Sequence, residues 1–247
     1  MEVKYFLDRR TRFIRDFYDK SAAPFLEVVK KIEAEEVPYG TPPGYGYDYD
    51  GEYVGTGEPA FMEEWQDAQY AIQIQGRACL SMLSASLNLY FKTWAHELRV
   101  MPPKKKKGEG WLHAYKSALG DRAGIIWDNS PVRLDMIEQI VLARNRDQHP
   151  ENITSFDIRH SEDDIKTHPE NFFIISESET EMLRALAGED PGDGENFRWI
   201  LTPAVSVDRD KLFAAIDVVE RLCGWLEEQF FEAKYPGSTA RRLARGF

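Results

Sequence analysis

Residues 144–149, with the sequence RNRDQH, bring a guanidinium, a carboxamide, a carboxylate and an imidazole close together. The planar guanidinium of Arg144 has the geometry for bidentate donation to a phosphate. The imidazole of His149 titrates near neutral pH and can act as a general acid or base. Such a pair is a minimal set of groups for cleaving RNA. The imidazole accepts the proton of a 2′-hydroxyl, and the guanidinium stabilises the charge that develops on the phosphoryl oxygens.

A helix is predicted to carry this stretch. Ser130-Pro131 is a typical start, because a serine N-cap is followed by proline at the first helical position. Pro150 disfavours the α conformation at His149, so we expect the helix to end at His149 or just before it. At that end the helix dipole stabilises an imidazolium.

The polar residues of the stretch continue the apolar stripe of this helix. Arg144 and Asn145 lie four residues after Ile140 and Val141, and His149 lies four residues after Asn145. An arginine that points inward needs an anionic or acceptor partner, because an unpaired buried charge is strongly unfavourable. A carboxylate of the same fold, a second subunit and a ligand phosphate all remain open as partners.

Two long helices are predicted before this one. Apolar residues three, four or seven apart over residues 3–36 predict one or two amphipathic helices with a break near Pro24. Residues 61–99 contain no proline and a single glycine, Gly76, which favours the longest helix of the chain. Its nearly all-round apolar middle indicates that it lies at the centre of a bundle.

Two more helices flank the 130–149 segment in sequence. A short helix, WLHAYKSAL, is expected to end at Gly120. Asp208 is expected to cap a long last helix that runs to about Lys234.

Two segments have the composition of elaborations on this helical domain. Residues 37–58 form a loop rich in glycine and tyrosine, without regular structure. Residues 151–207 form an acidic insertion, in which strands at 172–176 and 197–207 are predicted to pair as a small β-hairpin.

The net charge of −11 argues against indiscriminate coating of nucleic acid, but the charge is segregated. Residues 71–150 carry +5 and residues 151–196 carry −10. An anionic partner is therefore expected to bind near the run Lys104, Lys105, Lys106 and Lys107 or near Arg146. The alternative for the lysine run is a solvated loop.

The remaining composition limits the class of protein. The first residues show no secretory signal, and no apolar run is long enough to span a membrane. Cys79 and Cys223 are the only cysteines, so we expect no disulfide framework, no zinc site and a cytoplasmic location. The five histidines show no metal-ligand spacing, and neither a metal nor another cofactor is predicted.

The segment 144–149 matches RNxxxH, which is the form of the Arg-polar-spacer-His signature of the HEPN superfamily. Its place between a long preceding helix and a long last helix also resembles that fold, over about residues 60–150 and 208–234. The resemblance implies that residues 1–247 form a single all-α, HEPN-like helical bundle with the small β-hairpin as an insertion. It also implies a homodimer in which two copies of the motif face one cleft.

By the same resemblance, the chain is expected to be a metal-independent ribonuclease of a defence or toxin-antitoxin type. Arg144 and His149 would then be the catalytic pair, and Asn145 the polar residue that orients them. RNA would be the substrate, and an antitoxin or a nucleotidyltransferase a possible partner.

Two alternatives stay open at this point. One is a non-catalytic HEPN-fold module that binds a nucleotide, RNA or a partner protein in the same cleft, and the other is a purely structural dimer. In the structural case Arg144 and His149 form an ion-pair and helix-cap arrangement that supports the dimer. His96 and His113 lie in aromatic-rich amphipathic helices and are expected to be structural or surface residues.

Overall fold

The computed structural model describes residues 3–40, 46–47, 53–54, 60–101, 109–149, 156–174 and 203–237. The helices in these ranges are α1 (Val3–Glu33), α2 (Met62–Glu97), α3 (Trp111–Ala123), α4 (Leu134–Gln148), α5 (Glu162–Thr167) and α6 (Arg209–Lys234). Two short strands, β1 (Gly46–Tyr47) and β2 (Tyr53–Val54), pair in antiparallel register. The protein is mainly helical, as the hydrophobic periodicity predicts.

Helix α2 lies at the centre of the bundle, as predicted, and packs against α1, α3, α4 and α6. Its buried residues lie along one broad face, whereas Ile74, Ala85 and Leu89 on the opposite face are exposed although they are apolar. The core between α2 and α6 is built from large side chains with almost no exposure: Leu80, Leu83, Leu87, Phe91, Trp94, Leu222, Leu226 and Phe230.

Helix α1 is one continuous helix, so the predicted break near Pro24 is wrong. The proline is exposed, and the buried face of α1 continues past it from Ala22 to Val29. Packing of that face along the bundle outweighs the local penalty of an interior proline. The buried stripe of α1 includes Leu7, Ile14 and Tyr18, whereas Phe6, Phe13 and Phe17 point outward.

The boundaries of α3 and α4 differ from the predicted ones. Helix α3 continues beyond Gly120 and ends before Gly124, whose φ of 65° lies in the left-handed region that favours glycine. Helix α4 begins at Leu134, because the Ser130 hydroxyl closes a local turn onto the N–H of Val132 at 3.3 Å.

The carboxylate of Glu138 in α4 connects these two helices. It accepts hydrogen bonds from the backbone N–H groups of Trp111 at 2.8 Å and Leu112 at 2.7 Å. These donors belong to the first turn of α3 and have no partner inside the helix. Glu138 therefore caps α3 from a neighbouring helix and fixes α3 against α4.

Extended chain around residues 203–207 lies against the middle of α2. Val205 forms antiparallel bridging contacts with Ile174, and its N–H donates to the carbonyl of Ile158 at 2.6 Å. Gly76 makes this approach possible, because a Cβ atom there would lie 1.9 Å from the carbonyl oxygen of Val207.

The predicted elaborations are described only in part. The Ile174 to Val205 bridge falls where the predicted hairpin strands meet, but residues 175–202 lie outside the described residues. In the tyrosine-rich loop, β1 and β2 form a short pairing that the sequence reasoning did not predict. Within the described ranges, no helix combines the length and the apolar character needed to cross a lipid bilayer.

Candidate functional site

The candidate site lies in the last turn of α4, which ends at Gln148 as predicted. His149 is the C-cap residue, with φ −131° and ψ 63°, and its N–H donates to the carbonyl of Arg146. Arg144 and Asn145 are half-buried, whereas His149 is exposed. The apolar stripe therefore continues through Arg144 and Asn145 but not to His149, because the backbone of His149 has left the helical conformation.

Arg144 makes one side-chain hydrogen bond, from its Nη1 to the Oδ1 of Asn145 at 2.9 Å. Within the described residues, no carboxylate forms an ion pair with Arg144. A guanidinium has five N–H donors, so most of its donor capacity is left for another acceptor. The neighbouring amide oxygen holds one edge of the group in a fixed orientation.

The acid closest to Arg144 in the sequence, Asp147, is paired elsewhere. Its Oδ1 accepts from the Nε of Arg77 at 3.1 Å, and its Oδ2 lies 3.4 Å from the hydroxyl of Ser81. Arg77 lies in α2 and its side chain is only 6% exposed, whereas that of Asp147 is 25% exposed. The second acceptor of Arg77 is the carbonyl of Phe156 at 3.1 Å.

Arg77 is the residue of this region that the sequence reasoning missed. It joins α4 to α2 and to the chain after residue 156, so it fixes the turn that carries the candidate site. The sequence contained a signal for Arg77, because an arginine in the apolar middle of the longest helix needs a buried acceptor.

Arg146 is bound on the other side of the same turn. Its Nε donates to the Oδ2 of Asp164 at 2.7 Å, and the Asp164 side chain is 7% exposed. Asp164 also completes a capping box with Ser161 at the start of α5. Burial alone would raise the pKa of Asp164, but the hydrogen bonds from Arg146 and from the backbone of Ser161 lower it below its usual value.

His160 lies behind this pair and is almost fully buried. Its Nε2 is 3.1 Å from the carbonyl of Phe173, and its Nδ1 has no hydrogen-bond partner within the described residues. Burial lowers the pKa of His160 below 6.5, which favours the neutral imidazole. His160 is therefore a structural histidine, and the exposed imidazole of the motif is that of His149.

The other residues considered in the sequence analysis do not add to this site within the described residues. Residues Lys104, Lys105, Lys106 and Lys107 lie outside the described residues. His96 and His113 have side chains that are 87% and 62% exposed, on α2 and α3. Among the residues that the structure describes, no cluster of histidine, cysteine or acidic side chains has the composition to hold a metal ion.

In comparisons with known proteins, no family model matches the chain, and neither a curated protein nor a solved structure shows significant similarity to it.

Proposed function

We propose that this chain is a metal-independent ribonuclease of the HEPN type, in which Arg144 and His149 are the catalytic pair. The observation that supports the proposal is the distribution of charge at the end of α4. Asp147 is bound by Arg77 and Asp164 is bound by Arg146, whereas Arg144 has no carboxylate partner among the described residues. The free charge of Arg144 calls for an anion, and a phosphodiester has the matching geometry.

The half-buried position of Arg144 strengthens this argument. A fully solvated arginine needs no partner, but one that is partly removed from water gains more from an anion than it would at the surface. The hydrogen bond to Asn145 keeps the guanidinium in place before the substrate arrives. Asn145 is thus a positioning residue for Arg144.

In the proposed reaction, His149 takes the proton from a ribose 2′-hydroxyl. The 2′-oxygen attacks the adjacent phosphorus, and the bond from phosphorus to the 5′-oxygen breaks. That oxygen takes a proton from water, and His149 returns the proton it accepted to the solvent. The products are a 2′,3′-cyclic phosphate and a 5′-hydroxyl. Arg144 stabilises the charge on the non-bridging oxygens, and no electron transfer or metal is needed for the balance.

A second copy of the chain completes the proposed site. His149 is exposed at the end of α4, so the described residues of one chain do not enclose the imidazole. Association of two copies through the faces that carry residues 144–149 would place two such pairs in one cleft and would exclude water from the phosphate. Residues 104–107 would contribute further positive charge toward RNA, whereas the charge of Arg146, the other predicted RNA-binding residue, is balanced by Asp164.

The test is cleavage of a labelled single-stranded RNA in excess EDTA. We expect cleavage by the wild type, and loss of at least about 10²-fold in rate for His149→Ala, since general base catalysis contributes about 10²- to 10⁴-fold. Arg144→Lys is expected to lose activity as well, because an ammonium does not replace bidentate donation. His113→Ala is the matched control, since it removes an exposed imidazole from another helix.

Cleavage that survives in His149→Ala would refute the enzyme proposal. A parent that binds RNA or a nucleotide without cutting it, and loses binding in Arg144→Ala, would instead identify a non-catalytic binding module. Loss of dimerisation in both variants, with no ligand bound by the parent, would identify a structural dimer. Co-purification with an antitoxin or nucleotidyltransferase encoded next to this chain would place it in a defence system.

A further inference from the structure

A groove of about 560 Å³ runs between α1 and α2, and its lining residues belong to these two helices. Its walls are mainly apolar and are formed by Phe6, Phe13, Ile14, Met82 and Ala85. A volume of this size falls in the range of sites that bind ligands or anchor side chains of a partner.

The apolar side chains beside the groove are exposed to an unusual degree. Phe6 is 52% exposed and Phe13 is 58% exposed, although α1 has a well-defined buried face on its other side. Phe13 stacks on Phe17 with ring centroids 5.9 Å apart, which keeps both rings in place. On α2, Leu89 is 48% exposed and follows Met82 and Ala85 at helical spacing.

These side chains form two parallel stripes with the periodicity of a helix that packs on both α1 and α2. On α1, Phe6, Phe13 and Phe17 lie seven and four residues apart, and the stripe spans about 17 Å at 1.5 Å per residue. That length corresponds to about three turns of a helix. Apolar anchors repeated at this spacing along a groove are typical of helix-in-groove recognition.

The groove also carries positive charge without a counterion. Arg9 and Arg10 line it, and within the described residues neither forms an ion pair with a carboxylate. The Nε of Arg10 donates to the hydroxyl of Ser86 at 3.0 Å, so its guanidinium is held at the wall of the groove.

From this geometry we infer that the groove, with Phe6, Arg9, Arg10, Phe13, Met82 and Ala85 as its lining, binds an amphipathic helix of a partner protein whose apolar stripe is flanked by acidic residues. Aromatic residues, methionine and arginine are the types enriched in protein interfaces. A second copy of this chain would oppose arginines to arginines across a two-fold axis, which is unfavourable. A nucleic acid would leave the apolar walls largely unsatisfied.

The experiment uses two synthetic helical peptides of about four turns as probes. Both have the same leucine stripe, and the flanking positions are glutamate in one and lysine in the other. We expect fluorescence anisotropy to show that the full-length protein binds the glutamate peptide at least about tenfold more tightly than the lysine peptide. Phe13→Ala should weaken binding of the glutamate peptide by about tenfold or more, since a buried aromatic anchor dominates such interfaces.

The double variant Arg9→Glu/Arg10→Glu should reverse the preference toward the lysine peptide. Leu26→Ala is the matched control for Phe13→Ala, because Leu26 is 46% exposed on α1 outside the groove. Lys30→Glu/Arg122→Glu is the control for the charge change, and it should leave the preference as in the wild type. Circular dichroism confirms that each variant is folded.

Failure of the wild type to bind either peptide, or equal binding of both, would overturn the inference. Binding of a single-stranded oligonucleotide that is lost in Phe13→Ala, with no peptide bound, would assign the groove to nucleic acid instead. A dimer that becomes a monomer in Phe13→Ala, measured by sedimentation, would make a second copy the occupant. The peptide measurements do not depend on ribonuclease activity, so their outcome is independent of the function proposed above.

Discussion

Replacing Asp147 by alanine would leave the guanidinium of Arg77 without its carboxylate inside the bundle. The Arg77 side chain is 6% exposed, and its remaining acceptor is the carbonyl of Phe156 at 3.1 Å. Removing one partner of a buried ion pair costs about 3–5 kcal/mol. Because the Asp147 side chain is 25% exposed and water can enter the space it leaves, we expect a loss of about 2–3 kcal/mol.

The loss in the free energy of unfolding should be measured by urea unfolding, and the change in Tm by thermal unfolding, both followed by circular dichroism. For a chain of this size, each kcal/mol lowers Tm by about 2–4 °C, so Asp147→Ala should lower it by about 4–12 °C. Asp147→Asn retains an oxygen acceptor for Arg77 and should lose less.

A double-mutant cycle separates the ion pair from the packing. Arg77→Met combined with Asp147→Ala removes both charged groups, and a methionine fills much of the arginine's volume. The double variant should therefore be more stable than Asp147→Ala alone. The reasoning fails if Asp147→Ala costs less than about 1 kcal/mol, or if the two substitutions are simply additive.

Three further predictions concern residues that hold the bundle together. Glu227→Ala should destabilise the fold by about 2–4 kcal/mol in urea unfolding. The Glu227 carboxylate accepts from three donors, among them Trp94 Nε1 at 2.8 Å. Glu227→Gln should lose less stability. Gly76→Ala should lower the free energy of unfolding by about 1–3 kcal/mol or more, because its Cβ would meet the carbonyl oxygen of Val207. A Tm within about 1 °C of wild type, which is the order of precision of a thermal scan, would contradict this prediction. Burial lowers the pKa of His160, so the folded state disfavours its protonation. The free energy of unfolding should therefore fall as pH drops below 6.5 and level off at the pKa of the folded state. This slope should be absent in His160→Gln.

Much of the helical architecture could be predicted from periodicity, because long amphipathic patterns survive small local errors. Helix α2 and the Asp208 cap of α6 follow the sequence closely, with the Asp208 carboxylate accepting from the N–H of Lys211 at 2.8 Å. The continuous helix through Pro24 could not be predicted from local sequence, since its buried face packs on the next helix, α2. The same holds for the outward position of Phe13, because periodicity does not say which of two apolar faces is covered.

The end of the helix that carries the candidate residues was predictable in position, but the contacts of these residues were not. The end of α4 at Gln148 follows from the proline after His149, which is a local rule. The partner of Asp147 could not be chosen from the sequence, because Arg144 and Arg146 are nearer in the chain than Arg77. Only the crossing of α2 and α4 brings the distant arginine within 3.1 Å.

These contacts explain why the spacer between Arg144 and His149 contains charged residues. Arg146 and Asp147 are successive helical residues and point about 100° apart. Arg146 is bound to Asp164 in the first turn of α5, and Asp147 is bound to Arg77 in α2. Two ion pairs at successive residues restrain a helix end that would otherwise fray. Arg144 and His149, on either side of the spacer, are then carried by a rigid turn. The proposed site requires such a turn, because it must hold a phosphate in one orientation.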